Sequence, residues 1–338
     1  MNKRTKMTLG AGLAALALLV TGGGYYYFHV DTDTPDFAIK TVQQSIQKHD
    51  MKTFYSVVNV DSVLDSGYEG FIEGVTSPES MRSPDAKEAI KDFTQMLREP
   101  MLMSLKAAID SYVATGDLKT DENFAVAELL NRTGLKDAEI RNVKNIQIND
   151  ANHNEAFADL IISQPELDRE FPLQFVLTRG KDDKWQVSRV QNFKEYVEQI
   201  AQARRAQLEE YLKQSSEINL RHEETMREVE KEYGTILSTG NLAEDKTRAA
   251  LKSLVDDVFK KDWEERKKEL FTLSVPEDAE TLHKLYMKIC DTAIAAAQDY
   301  SKWTDDMNPA TIKLAEEKIH QMQALMTDAS NLVKRMTS

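Results

Sequence analysis

A long uncharged segment near the N-terminus constrains this chain more than any other feature. Residues Met7 to Val30 include no Asp, Glu, Lys or Arg over 24 positions. This length is sufficient for a membrane span, because about 20 apolar residues cross the hydrocarbon core of a bilayer. The aromatic cluster from Tyr25 to Phe28 lies near its end, where aromatic side chains hold a helix at the membrane interface. The segment predicts an N-terminal transmembrane helix, with residues 1–30 forming a cytoplasmic leader and a signal anchor.

A cleaved secretory signal peptide is the alternative interpretation of the same segment. Its most apolar part, Leu13 to Val20, has the length of a signal-peptide core, and Val20-Thr21-Gly22 is the available cleavage site. In both interpretations Lys3, Arg4 and Lys6 precede the apolar run, and acidic residues follow it. Basic residues stay on the cytoplasmic side, so we expect the bulk of the chain to be extracytoplasmic. With the anchor retained, the protein is single-pass in the cell membrane.

Composition and charge limit the kinds of protein and partner. The 338-residue chain is 41% hydrophobic and 29% charged, which is an ordinary composition for folded domains. Its formal net charge of −13 repels nucleic acid, and we predict no nucleic-acid partner. The single cysteine, Cys290, cannot form an intramolecular disulfide. Because it lies in an apolar helical stretch, we expect a small buried side chain rather than a nucleophile.

Residues 31–191 begin with helical patterns. Thr34-Pro35-Asp36 and Ser83-Pro84-Asp85 each combine a hydroxyl cap, a proline and an acid, which is the signal of a helix start. Asp50 caps a short second helix, and Val60 to Tyr68 is interpreted as a compact turn region. The helix after Pro84 carries one apolar face that includes Phe93. A shorter helix is predicted around residues 124–130.

Strand patterns follow the helices in the same domain. Residues 171–177 alternate between apolar and polar side chains, which is typical of a half-buried strand. Helices followed by an antiparallel meander indicate an α+β domain with helices packed on one face of a curved sheet. The predicted strands are Glu139–Asn149, Glu155–Gln164, Phe171–Arg179 and Lys184–Val190.

The start of this domain carries a resemblance to known families. The segment Ala38 to Asp50 runs on to Phe54-Tyr55 and then to Val60-Asp61 before an aliphatic residue. This order resembles the opening of a bacterial membrane-anchored family of domains of unknown function. The succession of helices and strands is also similar to the nuclear-transport-factor-two-like, or cystatin-like, cone fold. The resemblance covers about residues 33–190, and it implies a cone-shaped α+β domain without any catalytic residue.

A cone of this kind usually encloses a cavity, which makes four residues candidates for ligand binding: Phe157, Asp159, Phe175 and Trp185. Asp159 is flanked by apolar neighbours on its strand, and a desolvated carboxylate has the raised pKa that a general acid or base needs. The alternative is that Asp159 lies near an edge or pairs with Arg141 or Arg179. We favour this alternative because no second acid, His or Tyr completes a site.

Residues 192–338 are predicted to form an all-α antiparallel bundle with coiled-coil-like seams. One very long helix ends at Gly240, and a second spans about residues 242–271. Two further helices carry apolar residues three and four apart and are joined by the turn Asn308-Pro309, which is predicted to cap the second of them. Such seams pack at small crossing angles as a helical hairpin.

No reaction follows from these patterns, and we predict a protein that is not an enzyme. His222-Glu223-Glu224 lacks the second histidine of a zinc-protease helix, and we predict no metal and no cofactor. The expected function is a tethered binding or scaffolding protein, with self-association or capture of envelope proteins through residues 192–338. A small-molecule carrier or sensor that uses the cone cavity is the alternative, and an enzyme that uses Asp159 is a third hypothesis.

Overall fold

The computed structural model describes residues 33–77, 84–116, 131, 133–135, 138–180 and 182–337 of the chain. The chain divides into two compact units, and the first ends at Ala203. The predicted membrane segment, residues 7–30, lies outside the described residues, as does the predicted helix at 124–130. Within the described ranges, no helix combines the length and the apolar character needed to cross a bilayer.

Capped helices open the first unit, as the sequence predicts. Helix α1 is Pro35–Gln47, and the Thr34 hydroxyl accepts a hydrogen bond from the Phe37 N–H at 3.2 Å. Helix α2 is Met51–Val57, capped by the Asp50 carboxylate. Helix α3 is Val60–Val75 and helix α4 is Pro84–Thr115. Gly116 ends α4 with a φ of +78°, a left-handed conformation that glycine adopts without steric cost.

Helix α3 corrects the prediction of a turn region at Val60 to Tyr68. The Asn59 side chain caps the helix, and every third or fourth residue of α3 is buried. Its glycines have a packing role. A Cβ at Gly74 would lie 2.8 Å from Val197 Cβ, and one at Gly70 would lie 3.0 Å from Phe193 Cβ. These glycines therefore allow close contact with the helix that begins at Phe193. Their role is in helix packing rather than in a turn.

An antiparallel meander follows in the order β1-β2-β3-β4, and it confirms the α+β class. The first strand is irregular, because its register with β2 shifts at three places and Asn145 has a φ of 53°. Strands β2 and β3 pair continuously from Glu155–Thr178 to Gln164–Arg169. The strands are β1 Glu139–Asn149, β2 Asn152–Gln164, β3 Arg169–Arg179 and β4 Trp185–Val190.

One face of this sheet forms the core of the first unit together with the helices. Leu160, Leu173 and Phe175 are almost fully buried and share one apolar cluster with side chains from α1 to α4. A parallel bridge between Val58 and Val187 fixes the end of α2 beside β4. The helices therefore pack on the sheet face that the alternation along β3 predicts to be apolar.

Helix α5, Phe193–Thr239, begins in the first unit and continues without a break into the second. Helices α6, Asp245–Ser253, and α7, Lys260–Phe271, are joined by a π-helical turn at Leu254–Phe259. Helices α8, Glu280–Asp306, and α9, Pro309–Thr337, form the predicted hairpin. The Asn308 side chain accepts a hydrogen bond from the Ala310 N–H at 2.9 Å, which confirms the predicted cap.

Candidate functional site

The four residues predicted to bind a ligand lie on opposite faces of the sheet. Phe175 and Trp185 are buried in the core of the first unit. Phe157 and Asp159 are partly exposed, and they alternate along β2 with buried residues such as Ala158, the pairing partner of Phe175. Successive side chains of a strand point to opposite faces. The structure therefore does not bring the four residues together.

Two amide side chains hold the Asp159 carboxylate. Its Oδ1 accepts a hydrogen bond from Gln174 Nε2 at 2.8 Å, and its Oδ2 accepts one from Asn145 Nδ2 at 2.8 Å. In the part of the chain that is described, Arg141 and Arg179 form their ion pairs with other carboxylates. With both oxygens engaged, Asp159 has the environment of a hydrogen-bonded side chain at the sheet surface rather than that of a desolvated acid.

A buried polar cluster joins α5 to α7 in the second unit. His222 Nδ1 lies 2.7 Å from Asp262 Oδ1, and Arg266 Nη2 lies 3.4 Å from Asp262 Oδ2. The Arg266 guanidinium stacks 3.9 Å from the centroid of the Trp263 ring. These four side chains are all more than nine-tenths buried. The sequence gives little sign of this cluster, because its members come from two helices distant along the chain.

This cluster has the character of a structural network. His222 Nε2 also faces a carboxylate, that of Glu269 at 3.7 Å, so both ring nitrogens are directed at acidic side chains. Burial lowers the pKa of Arg266, and the charge of Asp262 opposes that shift. Cys290 is buried as predicted, and burial raises its pKa to about 11. A thiol with such a pKa is a poor nucleophile at neutral pH.

An exposed apolar stripe runs along α4 in the first unit. Phe93, Met96 and Met103 are 57%, 69% and 72% exposed, and smaller exposed residues fill the positions between and beyond them. The spacing alternates four and three residues, which keeps the side chains on one face of a helix. We call this surface the α4 stripe. It consists of Ala89, Phe93, Met96, Pro100, Met103 and Ala107.

The α4 stripe faces away from the core. The opposite side of the same helix buries Leu105, Ile109 and Tyr112 in the first unit. The prediction of one apolar face that includes Phe93 is therefore wrong, because helix α4 carries two apolar faces and Phe93 lies on the exposed one. The second face could have been found in the sequence, since its apolar residues are also three and four positions apart.

Charged side chains border one flank of the α4 stripe. Asp92, Glu99 and Lys106 each precede a stripe residue and recur every seven positions. Lys106 Nζ lies 2.5 Å from Asp61 Oδ1, which holds the lysine on this flank. Glu99 lies 3.3 Å from the Arg98 guanidinium. An apolar stripe with a charged border is the pattern of a helix that binds another helix.

The second unit has an open groove of about 690 Å³ between the start of α8 and the end of α9. Leu285 and Leu332 line this groove together with the polar side chains of Asp328 and Lys334. Among the described residues, no group of three or more His, Cys, Asp or Glu side chains is arranged to hold a metal ion.

Comparison with family models, with curated proteins and with solved structures gives no match to this chain.

Proposed function

We propose that this protein is a non-catalytic, membrane-tethered binding or scaffolding protein on the extracytoplasmic side of the cell membrane. The N-terminal segment is the tether, and the first unit is a cone-like α+β domain. The α4 stripe is the binding surface. The proposal combines the anchor predicted from the sequence with an exposed apolar surface on the described part of the chain.

The α4 stripe is the observation that carries this proposal. Partner binding is predicted from the sequence for residues 192–338, but the exposed apolar side chains described there, such as Leu220 and Phe271, do not form a similar row. Isolated exposed apolar residues are normal on protein surfaces. On α4, by contrast, large apolar side chains follow one another on one face over about three turns. Covering each of them contributes about 1–2 kcal/mol, which favours a bound partner.

Site-specific photo-cross-linking tests this function in the full chain in its own membrane. A photoactivatable residue replaces Met96 in one variant and Phe271 in the matched control. Phe271 is 75% exposed, close to the exposure of Met96, but lies at the end of α7. We expect irradiation to give a covalent adduct of one defined mass at position 96 and none of that mass at position 271.

The formation of a defined adduct tests the binding function, whereas the mass of the adduct identifies the partner. A defined protein adduct at position 96 supports the binding function whatever its mass. Irradiation that leaves the chain unmodified at position 96, or that gives identical products at both positions, contradicts the function.

A further inference from the structure

We propose that the α4 stripe binds the same stripe of a second copy of this chain, with the two α4 helices antiparallel. The two-fold axis passes close to Arg98. This inference rests on the proposed function, since it names the partner of the surface assigned there. Neighbouring tethered copies share one membrane, and their stripes can meet there.

Residue spacing makes the stripe self-complementary in the antiparallel direction. The alternation of three and four residues is that of the a and d positions of a heptad, and in antiparallel pairs an a residue packs against a d residue. A two-fold axis near Arg98 places Phe93 opposite Met103 and Met96 opposite Pro100. Ala89 and Ala107 then form the outermost layers. Every layer occurs twice, as an isologous interface requires.

The charged flank favours the antiparallel direction over the parallel one. In the antiparallel pair, Asp92 lies beside Lys106 of the partner subunit, and this opposite-charge contact occurs twice. Each Lys106 also keeps its ion pair with Asp61 of its own chain. In a parallel pair the same flank faces the other flank of the partner helix, which carries the uncharged Ile90, Leu97 and Ser104. Glu99 of each copy lies near the two-fold axis, and each Glu99 pairs with the Arg98 guanidinium of its own chain, which also contacts Asp65. The two contacts between Asp92 and the partner's Lys106 therefore favour the antiparallel orientation.

The size of the contact predicts a weak dimer in solution. Residues 89–107 of α4 form a helix about 28 Å long. A contact strip about 10 Å wide then buries on the order of 600 Å² over both copies, below the roughly 1,200 Å² of stable interfaces. A tether changes this balance, because confinement to one membrane raises the effective concentration of the second stripe. The pair is thus expected between membrane-bound copies and not between dilute soluble fragments.

Cysteine cross-linking of the full chain in membranes tests both the partner and the orientation. Ala89→Cys and Ala107→Cys are mild changes at exposed positions, and a short bifunctional thiol reagent reports their proximity. In the antiparallel pair, position 89 lies beside position 107 of the partner. The two copies of position 89 are about 27 Å apart, measured along the helix axis. We therefore expect a covalent dimer from the double variant and from Glu99→Cys near the axis, but not from either single alanine variant.

The unmodified chain is the first control, because Cys290 is buried and should not react. Adding Phe93→Glu to Glu99→Cys should reduce the dimer several-fold, and Phe271→Glu should leave it unchanged. A dimer from Ala89→Cys alone overturns the antiparallel orientation. No dimer from Glu99→Cys or from the double alanine variant overturns the second copy as partner. If photo-cross-linking at position 96 still gives a defined adduct of another mass, the binding function stands without this partner.

Discussion

Asp262 shows how a single carboxylate can fix the packing of a helical unit. It is buried together with His222 and Arg266, and it contacts both of them. Arg266 Nε and Trp263 Nε1 find no hydrogen-bond partner among the described residues. The charge of the buried guanidinium therefore depends on Asp262 and on the face of the Trp263 ring.

Asp262→Ala should destabilise the second unit strongly. Removing one partner of a buried ion pair leaves the other charge uncompensated, which costs about 3–5 kcal/mol. Urea unfolding monitored by hydrogen exchange of α8 amides would measure the loss in that unit.

Asp257→Ala is the matched control for this prediction. Asp257 pairs with Lys261 at 2.8 Å, but both side chains are largely exposed, so its removal should barely change the unfolding midpoint. Adding Arg266→Met to Asp262→Ala should recover part of the lost stability, because it removes the stranded charge. Equal effects of the Asp262 and Asp257 variants would contradict the structural role of the cluster.

At the scale of elements, the contact between α3 and α5 depends on the absence of side chains. Gly74 lies against Val197, and a Cβ there would come within 2.9 Å of both Cβ and Cγ1 of that valine. Gly67 lies on the same helix, but a Cβ there would meet nothing within 4 Å. Substitutions at these two glycines therefore distinguish the effect of packing from the effect of helix propensity within one helix.

Gly74→Ala should destabilise the first unit by on the order of 1–2 kcal/mol, since overpacking outweighs the gain in helix propensity. Gly67→Ala should instead stabilise it by about 0.5–1 kcal/mol. Hydrogen exchange of the β2 and β3 amides would report the free energy of unfolding of the first unit. Stabilisation by both variants would show that α3 and α5 do not pack as closely as the structure indicates.

Local signals predicted most elements, because their causes lie within a few residues. The caps at Thr34, Asp50 and Asn308 and the alternation along β3 each depend on neighbouring positions. Helix α3 was mistaken for a turn region because the packing role of its glycines depends on α5, which is distant in sequence. The ligand residues failed to meet for a similar reason: strand register, rather than residue type, decides which face each side chain occupies.

At the scale of the whole molecule, the proposed tether determines where every other surface acts. We expect the full chain to remain with membranes after extraction at alkaline pH, because an apolar helix is held by the bilayer core. A chain that lacks residues 7–30 should appear in the soluble fraction. Protease added outside spheroplasts should digest the intact chain beyond residue 31, since we expect the basic leader to stay in the cytoplasm.

The mass of the N-terminal peptide of the mature chain decides between a signal anchor and a cleaved signal peptide. An intact Met7 to Val30 supports the anchor. A released chain that begins after Gly22 supports the cleaved signal peptide and removes the tether from the proposed function.

The sequence by itself determined the α+β class, the order of helices and strands, the burial of Cys290 and the prediction of a membrane segment. These properties follow from periodicity, capping and composition, which are local or additive. Tertiary structure alone decided that Asp159 is held by Asn145 and Gln174, that His222 meets Asp262, and that Phe93 lies on the outer face of α4. Each of these depends on which of two possible faces an element turns toward its neighbours, and that choice depends on packing over the whole unit.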